Sequence, residues 1–245
     1  MEDEWLWGWD PTPGIVSVWA EPDGRAFIWR RLPGTGGLVR EDVRFRPWLL
    51  LASLEDLAHL GPRLRPEREG PAPGRVTWEE LEGPGALRYL VRAEDGRALA
   101  GAVLQGASRR LGRPFGHLRD LDANTALALP PEEQYLIASG RTYFRDLGFH
   151  ELQRLQFDLE TTGLDPETDR IFLVALRDPA GGTEVLDAHG DDDAAEADLL
   201  QRLMERIRVH DPDVIENHNL HGFDLPFLAR RARLLDVPLG LGRAG

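Results

Sequence analysis

The sequence predicts a two-part molecule, a β-rich α+β region followed by an α/β region. Three observations carry this. Short runs of β-branched and aromatic residues, broken by turn signals, fill the first 130 residues. From residue 154 onward, apolar runs of strand length alternate with stretches of helical periodicity. The chain has 245 residues, 42% of them hydrophobic and 29% charged, so a packed core is feasible and the composition argues against wholesale disorder. We divide the chain into residues 1–130, a connector at 131–153, and a second region at 154–245.

In the first region, Gly14–Ala20 and Arg25–Arg30 read as strands, with Glu21-Pro22-Asp23-Gly24 as the turn of a hairpin. Phe45–Leu51 is a third strand, with Pro47 at its edge or start. Leu54–Leu60 reads as a short helix and the Pro- and Gly-rich stretch Gly61–Gly74 as loop. Strands follow at Arg75–Leu81 and Leu87–Arg92, then a helix from Arg97 to Leu111. Pro130-Pro131-Glu132-Glu133 opens a short helix, because proline is harmless in a first turn.

In the second region, Leu155–Leu159 is a strand, Ile171–Leu176 an unbroken apolar strand suited to a sheet interior, and Thr183–Leu186 a third. Ala194–Val209 carries Leu199, Leu200, Leu203, Met204 and Ile207 at helical spacing. Val214-Ile215 begins a fourth strand, and Phe223–Leu235 is a second helix.

The chain has no cysteine, which excludes disulfides, thiolate metal sites and cysteine nucleophiles. No apolar run approaches the roughly 20 residues needed to cross a bilayer, and the opening Met-Glu-Asp-Glu has no basic n-region, so no signal peptide is expected. A cytoplasmic protein with no membrane partner is the simplest expectation. Every basic residue other than histidine is arginine, which we read as composition bias. The net charge of −13 argues against coating duplex DNA by electrostatics alone. Residues 151–245 hold 20 acids and 10 arginines, so most of the excess sits in the second region. That fits a site gathering divalent cations, and equally a solvated acidic surface.

Two constellations carry chemistry. The first is Phe157-Asp158-Leu159-Glu160-Thr161-Thr162-Gly163-Leu164. Residues two apart on a strand share a face, so Asp158 and Glu160 project side by side. They repel unless a cation neutralises them, and oxygen-only donors suit Mg2+ or Mn2+. The second runs from Asp211-Pro212-Asp213-Val214-Ile215 to Asn219-Leu220-His221-Gly222-Phe223-Asp224. It delivers Asn219 to a loop and Asp224 to a helix start that can approach the end of the first strand.

Together these motifs resemble family-B DNA polymerases. Asp158-Leu159-Glu160 is similar to the first exonuclease motif of that family, and Asn219 followed by three residues and Phe223-Asp224 to the second. Phe45-Arg46-Pro47 and Gly140-Arg141-Thr142-Tyr143-Phe144 also resemble N-terminal regions of the family. The resemblance spans most of the chain; it is specific in residues 154–235 and looser before about residue 130.

The resemblance implies an N-terminal polymerase-B-like domain before a ribonuclease-H-like exonuclease fold. It implies two-metal 3′→5′ hydrolysis of terminal phosphodiesters, as in proofreading, on a single-stranded or frayed 3′ DNA end. Asp158 would bind both metals, Glu160 the one that activates water, and Asp224 the one that steadies the leaving 3′ oxygen. Asn219 and Phe223 would position the DNA end, with Thr161 and Leu164 lining the pocket. The third motif of the family, Tyr then three residues then Asp, is not found: Tyr89, Tyr135 and Tyr143 all precede the first motif. The expectation is therefore an incomplete exonuclease fold without the helix of that motif, in a shortened chain or gene fragment. A C-terminal polymerase portion would complete it, and alone it should bind metal weakly and cleave poorly.

Plainer readings stand beside these. Asp158 and Glu160 could be solvent-facing strand residues, and Asp224 an acid favoured by the helix dipole. Asp191-Asp192-Asp193 looks like a metal cluster, but Asp193 with Glu196 fits a helix cap better. His218 fits packing rather than catalysis. Trp5, Trp7, Trp9, Trp19, Trp29 and Trp48 could stack on bases, but alternating Trp5, Trp7 and Trp9 fit the buried face of a strand. Gly34-Thr35-Gly36-Gly37 is too weak for a phosphate cradle. The rival to an exonuclease is a non-catalytic scaffold module that holds single-stranded nucleic acid. A free-standing exonuclease is disfavoured, because it has no need of the β-rich first region.

Overall fold

A computed structural model describes residues 9–32 and 34–244. Trp5 and Trp7, expected on a strand, lie outside the described residues. The chain forms two compact units, residues 1–145 and 146–245.

The first unit holds two sheets. β1 (Ile15–Ala20) and β2 (Arg25–Arg31) form the expected antiparallel hairpin, and β3 (Leu38–Arg44) pairs with the far side of β2. Gly24 makes the turn at φ +82°, where a Cβ would lie 2.3 Å from the Phe45 carbonyl oxygen. Ile15, Val18, Ala20, Ala26 and Ile28 make the core on this sheet, closed by Tyr135 from α2 (Pro131–Ser139). Residues expected to act as connector are thus part of this unit through α2.

The second sheet has the order β5-β6-β7-β4-β8, built from Leu64–Pro66, Val76–Glu80, Tyr89–Arg92, Trp48–Leu51 and Ala126–Leu127. The stretch read as loop, 61–74, contains β5. α1 (Gly96–Leu111) packs on this sheet with Leu99, Val103 and Ala107 at helical spacing. Asp95 caps α1 by accepting from Ala98 N–H at 2.8 Å. The residues read as a helix at 54–60 form a 3₁₀ stretch, Glu55–Arg63. α1 lies against it so closely that a Cβ on Gly106 would sit 1.7 Å from the Asp56 carbonyl oxygen.

The second unit is one four-stranded sheet of order β11-β10-β9-β12: Thr183–Asp187, Ile171–Arg177, Arg154–Thr161 and Val214–Glu216. β10 runs antiparallel to β9, and β12 parallel to it. α3 (Asp193–His210) and α4 (Leu225–Leu234) cover one face. Their Leu199, Leu200, Leu203, Phe227 and Leu228 pack on Leu155, Phe157, Leu159, Val174, Leu176 and Leu186. Each such side chain stabilises the unit by about 1.5–3 kcal/mol relative to exposure. The other face is open, and Phe172 and Ala175 are exposed on β10. The apolar run at 171–176 therefore does not mark a strand covered on both sides.

The cap of α3 differs from expectation. Asp192, not Asp193, caps it, accepting from Ala195 N–H at 2.8 Å. Glu196 is 1% exposed and pairs with Arg231 of α4. Arg231 Nε donates to Glu196 at 2.9 Å and its Nη1 to the Pro166 carbonyl at 3.2 Å. Glu196 also accepts from Ile171 N–H at 3.0 Å. One buried pair thus ties α3, α4, the start of β10 and the loop leaving β9. Among the described residues no helix is long and apolar enough to cross a membrane.

Candidate active site

β9 alternates strictly. Leu155, Phe157 and Leu159 are buried under the helices, while Asp158 and Glu160 are exposed on the other face. The apolar side chains fix the register, and the register aims both carboxylates away from the core. The turn after β9 explains Thr-Thr-Gly-Leu-Asp. Thr161 Oγ1 donates to the Gly163 carbonyl at 2.6 Å, and Asp165 N–H to the Asp169 carboxylate at 2.9 Å. A Cβ on Gly163 would lie 2.4 Å from that carboxylate. Leu164 is 82% exposed at the tip.

The second motif reaches the same place through β12. Asp213 anchors that strand, its carboxylate accepting from Gln153 N–H at 2.9 Å and its N–H donating to the Gln153 carbonyl at 2.7 Å. Arg243 clamps the turn from below, donating to Asp211 at 2.6 Å and Asp213 at 2.9 Å. After Glu216 the chain leaves the sheet and makes a single π-helical turn, Leu220–Asp224, before α4. The Asn219 carbonyl accepts from Gly222, Phe223 and Asp224 N–H, so it acts through its backbone as the start of this turn. A Cβ on Gly222 would lie 2.3 Å from Asn219 Oδ1, so the glycine admits that side chain. The wider turn rotates Asp224 inward, where it is 3% exposed. Phe223 is partly buried against the core, its ring 5.2 Å from that of Phe227.

Asp224 reaches Leu159 of β9. Burial pushes its carboxyl above the usual carboxylate range, and the negative charge of Asp158 adds to the push. Hydrogen bonds from Leu159 N–H and Asn217 oppose it. Asn217 was not singled out in the sequence. Its Nδ2 donates to Asp158 Oδ1 at 3.1 Å. Glu160 lies two residues along β9 on the same face as Asp158. Among the described residues, however, no group of three or more acidic or histidine side chains is gathered tightly enough to hold an ion. That includes Asp191-Asp192-Asp193.

Beside Asp158 an open cleft of about 660 Å³ runs across the uncovered sheet face, lined among others by Gln156, Arg177, Val185, Asn217 and His218. His218 is exposed there rather than packed. At the cleft's edge Glu216 accepts from Gln156 Nε2 at 2.6 Å and pairs with Arg154, whose guanidinium holds it below the usual carboxylate range. Of the tryptophans, Trp29 and Trp48 are buried, and Trp9 and Trp19 are exposed on the first unit.

Asp158 and Asp224 make an oxygen-only pair, one exposed and one buried, and among the described residues no arginine bridges them. Such donors fit a hard divalent cation better than zinc.

Comparison with known proteins bears on the second unit and on the fold. Residues 193–243 match the family described as DNA polymerase family B, exonuclease domain. The chain is 34% identical over 96 residues to DNA polymerase 2 of Aeropyrum pernix, covering 38% of this chain and 12% of that protein. It is 33% identical over 125 residues to the DNA polymerase of Pyrococcus glycovorans, covering 48% of this chain and 16% of that protein. The chain therefore spans a small part of the length of the relatives it matches. In fold it is similar to the family B DNA polymerase from Pyrobaculum calidifontis, with a TM-score of 0.59 at 20% identity, over 93% of this chain and 32% of that one. Exonuclease domains of this family use divalent metals. These likenesses support a family-B DNA polymerase exonuclease region in this mixed α/β chain, matched directly over residues 193–243.

Proposed function

We propose that the second unit is the front part of a ribonuclease-H-like 3′→5′ exonuclease that removes terminal nucleotides from a single-stranded or frayed 3′ DNA end in proofreading. The observation that carries this reading is that Asn217, which donates to Asp158 Oδ1 at 3.1 Å, also neighbours Asp224, so the two motifs meet. Asp158, Glu160 and Asp224 would hold Mg2+ or Mn2+. Two such ions supply a water nucleophile at neutral pH and neutralise charge on the phosphodiester. The chain itself contributes three things. β9 holds Asp158 rigidly, because three core side chains lock its register. The buried position of Asp224 favours a bound cation over bulk water, since a desolvated carboxylate gains most from a counter-charge. Arg177, exposed in the same cleft as Asp158, offers a guanidinium fork to a phosphate of the bound strand.

Activity of these 245 residues alone should be low. They contain no Tyr-x-x-x-Asp after Asp224 to add a further carboxylate and orient the water, and a C-terminal polymerase portion is the proposed source. A second reading has its own support. The absence of a tight group of three acids among the described residues fits a module that holds single-stranded DNA without cutting it. Titration with Mn2+ and a 3′-labelled oligonucleotide separates the two. Under the exonuclease reading Mn2+ binds and Asp158→Ala abolishes binding, with slow cleavage at most. DNA binding that ignores Mn2+ and Asp158→Ala would favour the scaffold.

A further inference from the structure

Asp158 and Asp224 are two carboxylates close enough to feel each other's charge, and Asn217 lies beside both. Its Nδ2 donates to Asp158 Oδ1 at 3.1 Å. It is also within hydrogen-bonding reach of Asp224, where it favours the charged form. The orientation of the amide is set by its other end. Asn217 Oδ1 accepts from His218 N–H, which turns the NH2 group toward the carboxylates. One amide has two N–H donors, so it can serve both acids at once, but it offers a dipole and no net charge. A divalent cation between the same oxygens would gain far more, and it needs the oxygens the amide uses.

We propose that Asn217 competes with the metal: its side chain holds Asp158 and Asp224 together in the cation-free protein and must swing away before an ion can take both carboxylates. This rests on the reading that the pair holds divalent cations. The geometry permits the swing. Asn217 lies just beyond the last residue of β12, before the π turn, and is only partly buried. A structural linker would make metal binding depend on the amide, whereas a competitor weakens binding by its presence.

The test is calorimetric titration of the metal-free 245-residue chain with MnCl2, comparing wild type, Asn217→Ala and Asp158→Asn. We expect Asn217→Ala to bind Mn2+ about tenfold more tightly, the cost of one charge-assisted hydrogen bond that binding no longer has to break. Asp158→Asn should lose binding. If wild type binds through Asp158 and Asn217→Ala binds equally or more weakly, the competing role is wrong and the carboxylate site stands. If Mn2+ fails to bind, or binds regardless of Asp158→Asn, both fall. A second measurement needs no variant. The Asn217 side-chain amide protons in a 1H–15N spectrum should be protected from exchange without metal and lose that protection on adding Mg2+. Unchanged protection at saturating Mg2+ would overturn the proposal.

Discussion

Two buried acidic residues of the second unit, Glu196 and Asp224, are treated in opposite ways. Glu196 is 1% exposed and Asp224 3% exposed. Glu196 meets the Arg231 guanidinium in a two-pronged pair and takes a further backbone N–H. Among the described residues Asp224 has no arginine partner. It has an amide, backbone N–H groups and a neighbouring negative charge. The two acids sit at similar depth, so desolvation does not distinguish them. What differs is whether a counter-charge is built into the chain. Glu196 is satisfied and joins four segments, whereas Asp224 is held in a costly state that a cation from solution would relieve. A buried acid with its own arginine serves structure, whereas one without is what the proposed metal site calls for.

Removing partners should expose that difference, and the largest effect belongs to the satisfied pair. Glu196→Ala leaves Arg231 buried and unpaired and should cost about 3–5 kcal/mol in urea unfolding. A loss under 1 kcal/mol would erase the contrast. The first unit supplies an intermediate case. Asp56 is buried, but its partner Arg110 is partly exposed at 2.9 Å, so Asp56→Ala should cost about 1.5–3 kcal/mol by the same assay.

Next comes a pH effect at Asp10. Burial works against its charge, but hydrogen bonds from Thr12 and Arg141 outweigh this and bring it down to about 2. A depressed carboxylate stabilises the fold above its unfolded pKa of 3.8 and loses that contribution as pH falls through the folded value. Stability should therefore drop by about 2 kcal/mol between roughly pH 4.5 and 1.5, and Asp10→Asn should flatten that slope. An unchanged slope in the variant would remove Asp10 from the account.

The smallest effect is predicted at Asp224 itself. Asp224→Asn keeps an acceptor for Leu159 N–H and removes a buried charge beside Asp158. Its stability should stay within about 1 kcal/mol of wild type or rise, while any increase in Tm on adding Mn2+ disappears. A loss as large as that of Glu196→Ala would mean that Asp224 is structural too.

Much of this was legible along the chain, and the misses have specific causes. Leu155, Phe157 and Leu159 alternate with polar residues, so β9 and the facing of Asp158 and Glu160 followed from strand period alone. The helices at 193–210 and 225–234 followed from leucines at helical spacing. β3 was missed because Arg40, Glu41 and Asp42 give no apolar alternation. It exists because β2 offers an open ladder and because Glu41 finds Arg30 and Arg141. The cap of α3 was displaced to Asp192, since Glu196 is drawn inward by an arginine 35 residues later, which no local rule contains.

Residue types at fixed spacing determined the family resemblance, the strand that carries Asp158 and the helix start that carries Asp224, because periodicity and turn chemistry act over a few residues. Tertiary structure alone decided which face of the sheet stays open, that a π turn rotates Asp224 inward, and that Asn217 stands between the two acids. Each of these depends on where separate segments meet, and local preference is silent about segments 59 residues apart.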